Sequence, residues 1–310
     1  MALTSSSQNL KMKTELLQHC NVCDGTTLEV VDAECNIARC QACGYIFDNP
    51  RPTLDELIDF YSRPSQYDSW LNEIFVRDRL WKRRLGCLRS TRKAGSLLDV
   101  GTGIGQFLAL ARNFYTSVSG TEVSSVAVQI AKEKYNLDLY QGTIETLRGQ
   151  VFDNITLFHV LEHVSDPKSV LKTCHSLLSQ GGILVVAVPN EVTSLRASLK
   201  RILARAGLRK QRQVGKFGLP RTSLEPHSVE VHLSHFTPKV LHRLLRATGF
   251  SILENTLDPY YVLTGRAKLQ ADIYYYTCLA LLRTFRVNLY DTMLVIARKV
   301  DVLPDQMNGH

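Results

Sequence analysis

No run of apolar residues in this 310-residue chain approaches the ~20 needed to cross a bilayer as a helix. The longest, Ile183–Pro189 and Tyr274–Leu282, are far shorter, so no transmembrane segment is expected. No charged stretch followed by an apolar one opens the chain, so no secretory leader is expected and a cytoplasmic location is. Internal repeats and low-complexity tracts are missing, which sets aside collagen-like and coiled-coil chains. Acidic residues are missing from one stretch. Between Glu191 and Glu225 there are none, while Arg196, Lys200, Arg201, Arg205, Arg209, Lys210, Arg212, Lys216 and Arg221 supply nine positive charges. The formal charge of the whole chain is +8, so the excess is local and the remainder is close to neutral. That pattern disfavours a general nucleic-acid coat. Leu195, Leu199, Ile202, Leu203 and Ala206 recur at helical spacing within the segment. A basic amphipathic helix can lie on an anionic membrane as a peripheral contact, cover an active site or bind a phosphorylated ligand. It can equally be a solvated face over a small apolar stripe.

What is present is a soluble globular composition, 45% hydrophobic and 21% charged. Residues 1–18 are polar and expected to be a flexible N-terminus. Residues 19–48 hold five of the eight cysteines. Residues 49–93 begin with the breaker Asn49-Pro50-Arg51-Pro52 and continue as a helical linker or cap. From residue 94 strand-like runs (Leu97–Val100, Ser117–Thr121, Leu137–Tyr140, Asn154–His159, Ile183–Val188) alternate with helical ones (Gln106–Asn113, Ser125–Tyr135, Pro167–Leu178). That alternation predicts an α/β fold, a doubly wound, mostly parallel sheet with helices on both faces. Residues 191–236 read as a basic lid insertion. Residues 237–310 add a helix (Pro238–Thr248), a strand (Ser251–Leu257), a helix (Gln270–Thr284) and a last strand (Thr292–Ala297), for seven strands.

Cys20-Asn-Val-Cys23 and Cys40-Gln-Ala-Cys43 form two C-x2-C knuckles. Each knuckle sets two thiolates on one tight turn, and two such turns complete a tetrahedron, so the pattern predicts a zinc-ribbon-like module. All four positions are filled by protein, which makes the zinc structural. Cys35 could replace one ligand or lie on the hairpin between the knuckles; Cys87, Cys174 and Cys278 read as core residues.

Leu97-Leu98-Asp99-Val100-Gly101-Thr102-Gly103-Ile104-Gly105 is an apolar strand ending in Asp, then a G-x-G-x-G turn opening a helix. Glycines let the backbone approach a ligand, and a helix N-terminus favours an anionic group. Gln106 stands where a dinucleotide fingerprint needs glycine. Glu122 closes the second strand, where a carboxylate can accept both ribose hydroxyls.

The loop resembles motif I of class I S-adenosylmethionine (SAM) methyltransferases, which implies a Rossmann-like sheet with SAM held by Asp99, Gly101, Thr102, Gly103, Gly105 and Glu122. Gln141-Gly142-Thr143-Ile144-Glu145 follows the third strand, where that family holds adenine, which assigns Thr143 and Ile144 to the cofactor. Phe152-Asp153-Asn154-Ile155 and His159-Val-Leu-Glu162-His163-Val-Ser-Asp-Pro167 look like the fourth-strand motif of ubiquinone-type O-methyltransferases. Gly181–Asn190 and His232-Leu-Ser-His235-Phe236-Thr237 are similar to later parts of that branch. A cysteine zinc module ahead of such a core is similar to sugar C-methyltransferases.

Methyl transfer from a sulfonium needs a positioned, deprotonated acceptor. The resemblance makes His163 the candidate base with Glu162 as its orienting carboxylate, and places His159 at the SAM pocket. In some ubiquinone-type enzymes the matching positions hold a divalent metal; here His159 stands in place of the first acid. Glu162 and His163 could instead be a structural pair at a helix start. His232 and His235 are either lid residues or hydrogen-bonded histidines at a helix start, and Tyr67 and Trp70 either close over SAM or simply pack. The expected acceptor is a small molecule: a sugar or glycan precursor, phosphorylated or nucleotide-linked, or a secondary metabolite, with a lipid-linked acceptor as a variant. Nucleic acid is not expected, because Arg39 is the sole Lys or Arg in residues 19–48 and neither an Asn-Pro-Pro-Tyr nor a Pro-Cys motif follows strand four. A zinc-ribbon RNA methyltransferase is the main alternative, a non-enzymatic SAM-binding protein the third.

Overall fold

The computed structural model describes residues 12–300 except 89, 90, 92, 207–214, 216, 226, 227, 229, 260 and 262. Arg209, Lys210, Arg212 and Lys216 of the basic segment lie outside the described residues, as do residues 1–11 and 301–310.

The chain opens with β1 (Thr14–Glu15), β2 (Leu28–Asp32), β3 (Ile37–Cys40), β4 (Ile46–Asp48) and β5 (Arg51–Pro52). Helices α1 (Leu54–Tyr61), α2 (Asp68–Asn72) and α3 (Ile74–Leu88) lead to β6 (Ser96–Val100), α4 (Gln106–Ala111), β7 (Ser117–Glu122), α5 (Ser125–Tyr135) and β8 (Tyr140–Gln141). Then come β9 (Phe152–Phe158), α6 (Pro167–Leu177), β10 (Leu178–Pro189), α7 (Leu195–Arg205), β11 (Ser234–His235), α8 (Pro238–Ala247), β12 (Phe250–Thr256), α9 (Gly265–Phe285) and β13 (Thr292–Lys299). Helix starts carry the expected caps. Ser124, Asp166, Ser194 and Thr237 each accept a backbone N–H three residues on, and Pro167 and Pro238 occupy the first helical positions.

Seven strands form one sheet in the order β12-β13-β10-β9-β6-β7-β8. The pairs β10–β9, β9–β6, β6–β7 and β7–β8 are parallel, and β13 runs antiparallel to both neighbours. Side chains alternate across it as strand geometry requires. Leu98, Val100, Ile155, Leu157, Leu184 and Val186 enter the core beneath α6 and α8; Leu97, Ile183, Val185 and Ala187 enter the opposite core with Phe107 and Trp81. The third predicted strand is shorter than expected. Asn136 closes α5 in the left-handed conformation, Leu137 turns inward, and only Tyr140–Gln141 pairs with β7.

The cysteine region forms a separate antiparallel sheet in the order β11-β4-β3-β2. Its fourth strand comes from Ser234–His235, nearly 200 positions away, paired with Ile46–Phe47. Cys20, Val22, Ala38, Cys40, Tyr45 and Phe47 belong to the same buried cluster as Leu98, Val186 and α8. The small sheet is thus packed into the large one's core. Among the described residues no helix is long and apolar enough to cross a membrane.

Candidate active site

The parallel strands β6, β7 and β9 all end at one edge, and the residues just beyond them line a cavity of about 510 Å³. Gly101 and Gly103 follow β6 with φ of +61° and +58°, a region that favours glycine. A Cβ on Gly103 would sit 2.7 Å from the Trp70 ring, and one on Gly101 equally close to Val160, so glycine lets both neighbours approach the loop. Gly105 caps α4 and faces Leu137 and Ala131 rather than the cavity.

Glu122, at the end of β7, is buried and lines the cavity. One carboxylate oxygen accepts the Gly103 N–H (2.8 Å) and the other the Ser124 N–H (2.9 Å). Each oxygen keeps a further lone pair. Burial raises its pKa, against the pull of those backbone donors. Gly142, Thr143 and Ile144 line the same wall. Asp99 and Thr102 lie behind it. Burial pushes Asp99 up to about 7 in spite of its 2.6 Å hydrogen bond from Thr156.

The first helices close the cavity from the other side. Tyr67 and Trp70 meet edge to face, and the buried Arg77 guanidinium lies 3.9 Å from the Trp70 ring centroid. All three line the cavity, as do Leu54, Leu57, Ile58 and Tyr61 of α1.

Beyond β9 the loop 159–166 carries the polar centre. His159 has φ +57° and lines the cavity. Its Nε2 is 2.9 Å from Asp258, itself held by buried Arg84 (2.9 Å), and its Nδ1 is 3.2 Å from Glu162. Burial alone would lower the His159 pKa, but Asp258 and Glu162 raise it. Glu162 is fully buried, and neither carboxylate oxygen has a hydrogen-bond partner of good geometry. Burial would raise its pKa; His159 and His163 bring it down. His163 Nε2 is 3.8 Å from Glu162, while Nδ1 lies 2.6 Å from the Val231 carbonyl oxygen and 3.1 Å from the Tyr61 hydroxyl. A carbonyl can only accept, so Nδ1 carries the proton and Nε2 keeps the lone pair. Burial lowers the His163 pKa, against the pull of the Glu162 carboxylate.

His232 and His235 act as struts. Glu191 bridges them at 3.0 and 2.9 Å, His235 also reaches Asp48 at 3.1 Å, and the His232 ring lies 4.9 Å from that of His163. The Glu162 carbonyl accepts from the N–H groups of Leu233 and Ser234. Asn21, inside the first knuckle, donates to the Ser165 carbonyl at 2.7 Å.

Three of the four clustered cysteines are buried and Cys23 is half-buried. Cys20 and Cys43 approach to 3.6 Å, as do Cys23 and Cys40, and all four sulfurs lie within 4.8 Å of one another. Zinc–thiolate bonds of ~2.3 Å in a tetrahedron put the sulfurs about 3.8 Å apart, so these residues fit zinc. The Cys20 thiol is held down to about 5, chiefly by its bond with Cys43. Cys35 packs elsewhere, with Ile37, Ile46 and Leu219. Glu162, His163 and His232 also bring ligand atoms within 4.8 Å of each other and could hold a cation.

Residues 72–255, more than half of the chain, match a family model described as a methyltransferase domain. The chain belongs to the SAM-dependent methyltransferases. This methyltransferase is 30% identical over 136 residues to the ubiquinone biosynthesis O-methyltransferase of Caulobacter vibrioides, a match covering 41% of the chain and 54% of that enzyme. It is 26% identical over 190 residues to the enzyme of the same name from Coxiella burnetii, covering 59% and 75%. The chain thus spans about half the length of the first relative and three quarters of the second. Among solved structures, magnesium protoporphyrin IX methyltransferase from Synechocystis PCC 6803 with bound SAH superposes with a TM-score of 0.51 at 13% identity, over 80% of the chain and all of that protein, which shows a shared fold.

Sequence reasoning reached the glycine loop, Glu122, Thr143, Ile144, His159, Glu162 and His163, and the structure brings Gly101, Gly103, Glu122, Thr143, Ile144, His159 and His163 to the lining of one cavity. It missed Arg77, Tyr61, Glu191 and the Arg84–Asp258 pair. The position of Arg77 beside Trp70 on a pre-core helix was the one signal that could have found any of them.

Proposed function

We propose that the protein transfers a methyl group from SAM to a hydroxyl of a neutral small molecule, with His163 as general base. The observation that carries this reading is the His163 Nδ1 contact to the Val231 carbonyl (2.6 Å), which leaves Nε2 free to accept a proton in the cavity lined by the glycine loop. Gly101, Gly103 and Glu122 would hold the nucleoside, Thr143 and Ile144 the adenine, and Arg77 the methionine carboxylate. Asp99, Thr102 and Gly105 would fix the loop from behind. SAM supplies the electrophilic methyl. His163 takes the acceptor O–H proton as the new O–CH₃ bond forms and the C–S bond breaks, leaving S-adenosylhomocysteine. Glu162, pinned by its backbone carbonyl, stabilises the imidazolium that results.

Sugar and glycan precursors and secondary metabolites all fit this scheme. Glu230 lines the cavity and Glu162 lies buried beside His163, which gives the acceptor side negative charge and favours a hydroxyl without a nearby phosphate. Leu54, Leu57 and Ile58 favour an acceptor with an apolar body, and a lipid-linked form of it would suit the exposed apolar residues of α7. The test is a turnover panel of phenols, free sugars and nucleotide sugars, run with wild type and His163→Asn. Loss of turnover by a factor of about 10²–10⁴ with S-adenosylhomocysteine affinity kept supports the base; unchanged turnover refutes it.

A second reading rests on Glu162 and His232, whose ligand atoms lie within 4.8 Å of each other and of His163, although Glu162 also faces His159 Nδ1 at 3.2 Å and His232 Nε2 faces Glu230 at 3.6 Å. With His163 they would hold a divalent cation that lowers the acceptor hydroxyl's pKa as a Lewis acid. Metal content separates the two: His232→Asn removes a second ion on this reading and changes nothing on the first.

A further inference from the structure

Tyr61 closes α1 and touches the proposed base. Its hydroxyl oxygen accepts the Val231 N–H at 3.3 Å, faces the Val231 carbonyl at 3.5 Å and lies 3.1 Å from His163 Nδ1. Its ring meets the imidazole edge to face, with centroids 5.9 Å apart. Burial pushes the phenol above its ordinary pKa, so the hydroxyl keeps its proton and can donate toward the Val231 carbonyl while its oxygen accepts.

One contact does not fix a ring. The Val231 carbonyl settles where the Nδ1 proton lies. An imidazole held at that single point still tilts about the bond, and Nε2, across the ring, swings furthest. The Tyr61 oxygen and the edge-to-face contact fix the plane. A reacting group has to be held within ~0.5 Å, and a misplacement of about 1 Å can cost about a hundredfold in rate. Val231 is in turn anchored by Tyr61 and, two residues on, by the Leu233 N–H donated to the Glu162 carbonyl.

Helix α1 has a second contact with the site. Leu54, Leu57, Ile58 and Tyr61 recur at i, i+3, i+4 and i+7, which is one helix face, and all four line the cavity. Leu57 and Phe60 pack with Val231 and Leu233 in a small cluster apart from the two sheet cores. A helix of eight residues has little stability by itself, so its position is set by what it packs on. An acceptor resting on Leu54 and Ile58 therefore presses on the same short helix that aims the base.

We propose that Tyr61 is a positioning residue for methyl transfer, and that through it the apolar face of α1 turns acceptor binding into alignment of His163. The inference rests on His163 as the base. Acceptor contacts distant from the reacting hydroxyl then register in kcat and not in KM alone.

The experiment compares wild type, Tyr61→Phe, Ile58→Ala and the double variant. The readouts are turnover on the best acceptor of the panel, titration with S-adenosylhomocysteine, and NMR of protein with labelled histidine nitrogens, where the His163 Nδ1–H signal is the one missing from His163→Asn. Phenylalanine keeps the ring and removes only the hydroxyl. Tyr61→Phe should lower kcat about ten- to a hundredfold, with acceptor KM and S-adenosylhomocysteine affinity kept within about twofold, and the Nδ1–H signal should broaden through solvent exchange. Ile58→Ala should lower kcat about threefold by itself and hardly at all in the Tyr61→Phe background, because the two act along one path. A packing role alone for Tyr61 predicts an unchanged signal and losses that multiply. The inference is overturned if Tyr61→Phe keeps the Nδ1–H signal, if the two losses multiply, or if Tyr61→Phe turns over at the wild-type rate while His163→Asn is inactive. Turnover by His163→Asn would instead overturn the base reading beneath it.

Discussion

At one side of the cavity Gly101, Gly103, Glu122, Thr143 and Ile144 come from short motifs at consecutive strand ends, within about 45 positions of one another. At the other, His163 is held by Val231 and Tyr61, 68 and 102 positions away, on a loop braced by Asn21 of the cysteine knuckle. The proposed cofactor side is local and depends on backbone conformation. The proposed acceptor side is assembled by tertiary contacts, one of them from the cysteine module. The comparison teaches that the two sides should fail separately.

Removing the zinc proposed for the four cysteines should have the largest effect. Metal binding supplies folding energy to so small a sheet, and that sheet shares its core with the large one and pairs with Ser234–His235. Hydrogen exchange should therefore rise in residues 159–166 and 230–236 as well as in 19–48; exchange confined to 19–48 would break the comparison. Next, His163→Asn should cost about 10²–10⁴ in kcat with S-adenosylhomocysteine affinity nearly kept. Glu122→Ala should do the opposite. It removes a carboxylate that also caps the Gly103 and Ser124 N–H groups, and should weaken S-adenosylhomocysteine by about 3 kcal/mol, roughly a hundredfold, as read by calorimetry.

His235 gives a smaller, pH-dependent effect. Burial opposes its charge, but Asp48 and Glu191 carry its pKa up to about 9. A folded-state pKa above the unfolded value stabilises most at low pH. The contribution, on the order of 3 kcal/mol, is fully present below about pH 6.5 and lost as pH rises through about 9. Denaturant melts of wild type and His235→Gln across that range should converge at the alkaline end. Trp70→Ala should be mildest, weakening S-adenosylhomocysteine by about 1 kcal/mol through lost packing on Gly103.

The same division decided what could be read from the sequence. Strand ends, glycine turns and C-x2-C knuckles encode their geometry within a few residues, so the sheet, the loop, Glu122 and the four cysteines were legible. The tautomer of His163 was not, because it is set by a carbonyl far along the chain. Glu191 carries no motif, yet it bridges two histidines. Arg84 and Asp258 are 174 positions apart and pair only because α3 and the segment after β12 pack together. His235 reads from the sequence as a lid residue or a hydrogen-bonded structural one, and only its pairing with β4 and bonds to Asp48 and Glu191 decide for the second. Reading residues 19–48 by themselves hid that their sheet is completed from elsewhere.

The most direct test is a calorimetric titration of zinc-loaded wild type, Glu122→Ala and His163→Asn with S-adenosylhomocysteine, paired with turnover on the best acceptor. The account predicts micromolar binding by wild type and His163→Asn, binding weakened about a hundredfold in Glu122→Ala, and turnover lost in His163→Asn. Loss of binding in His163→Asn, or full binding in Glu122→Ala, would contradict it.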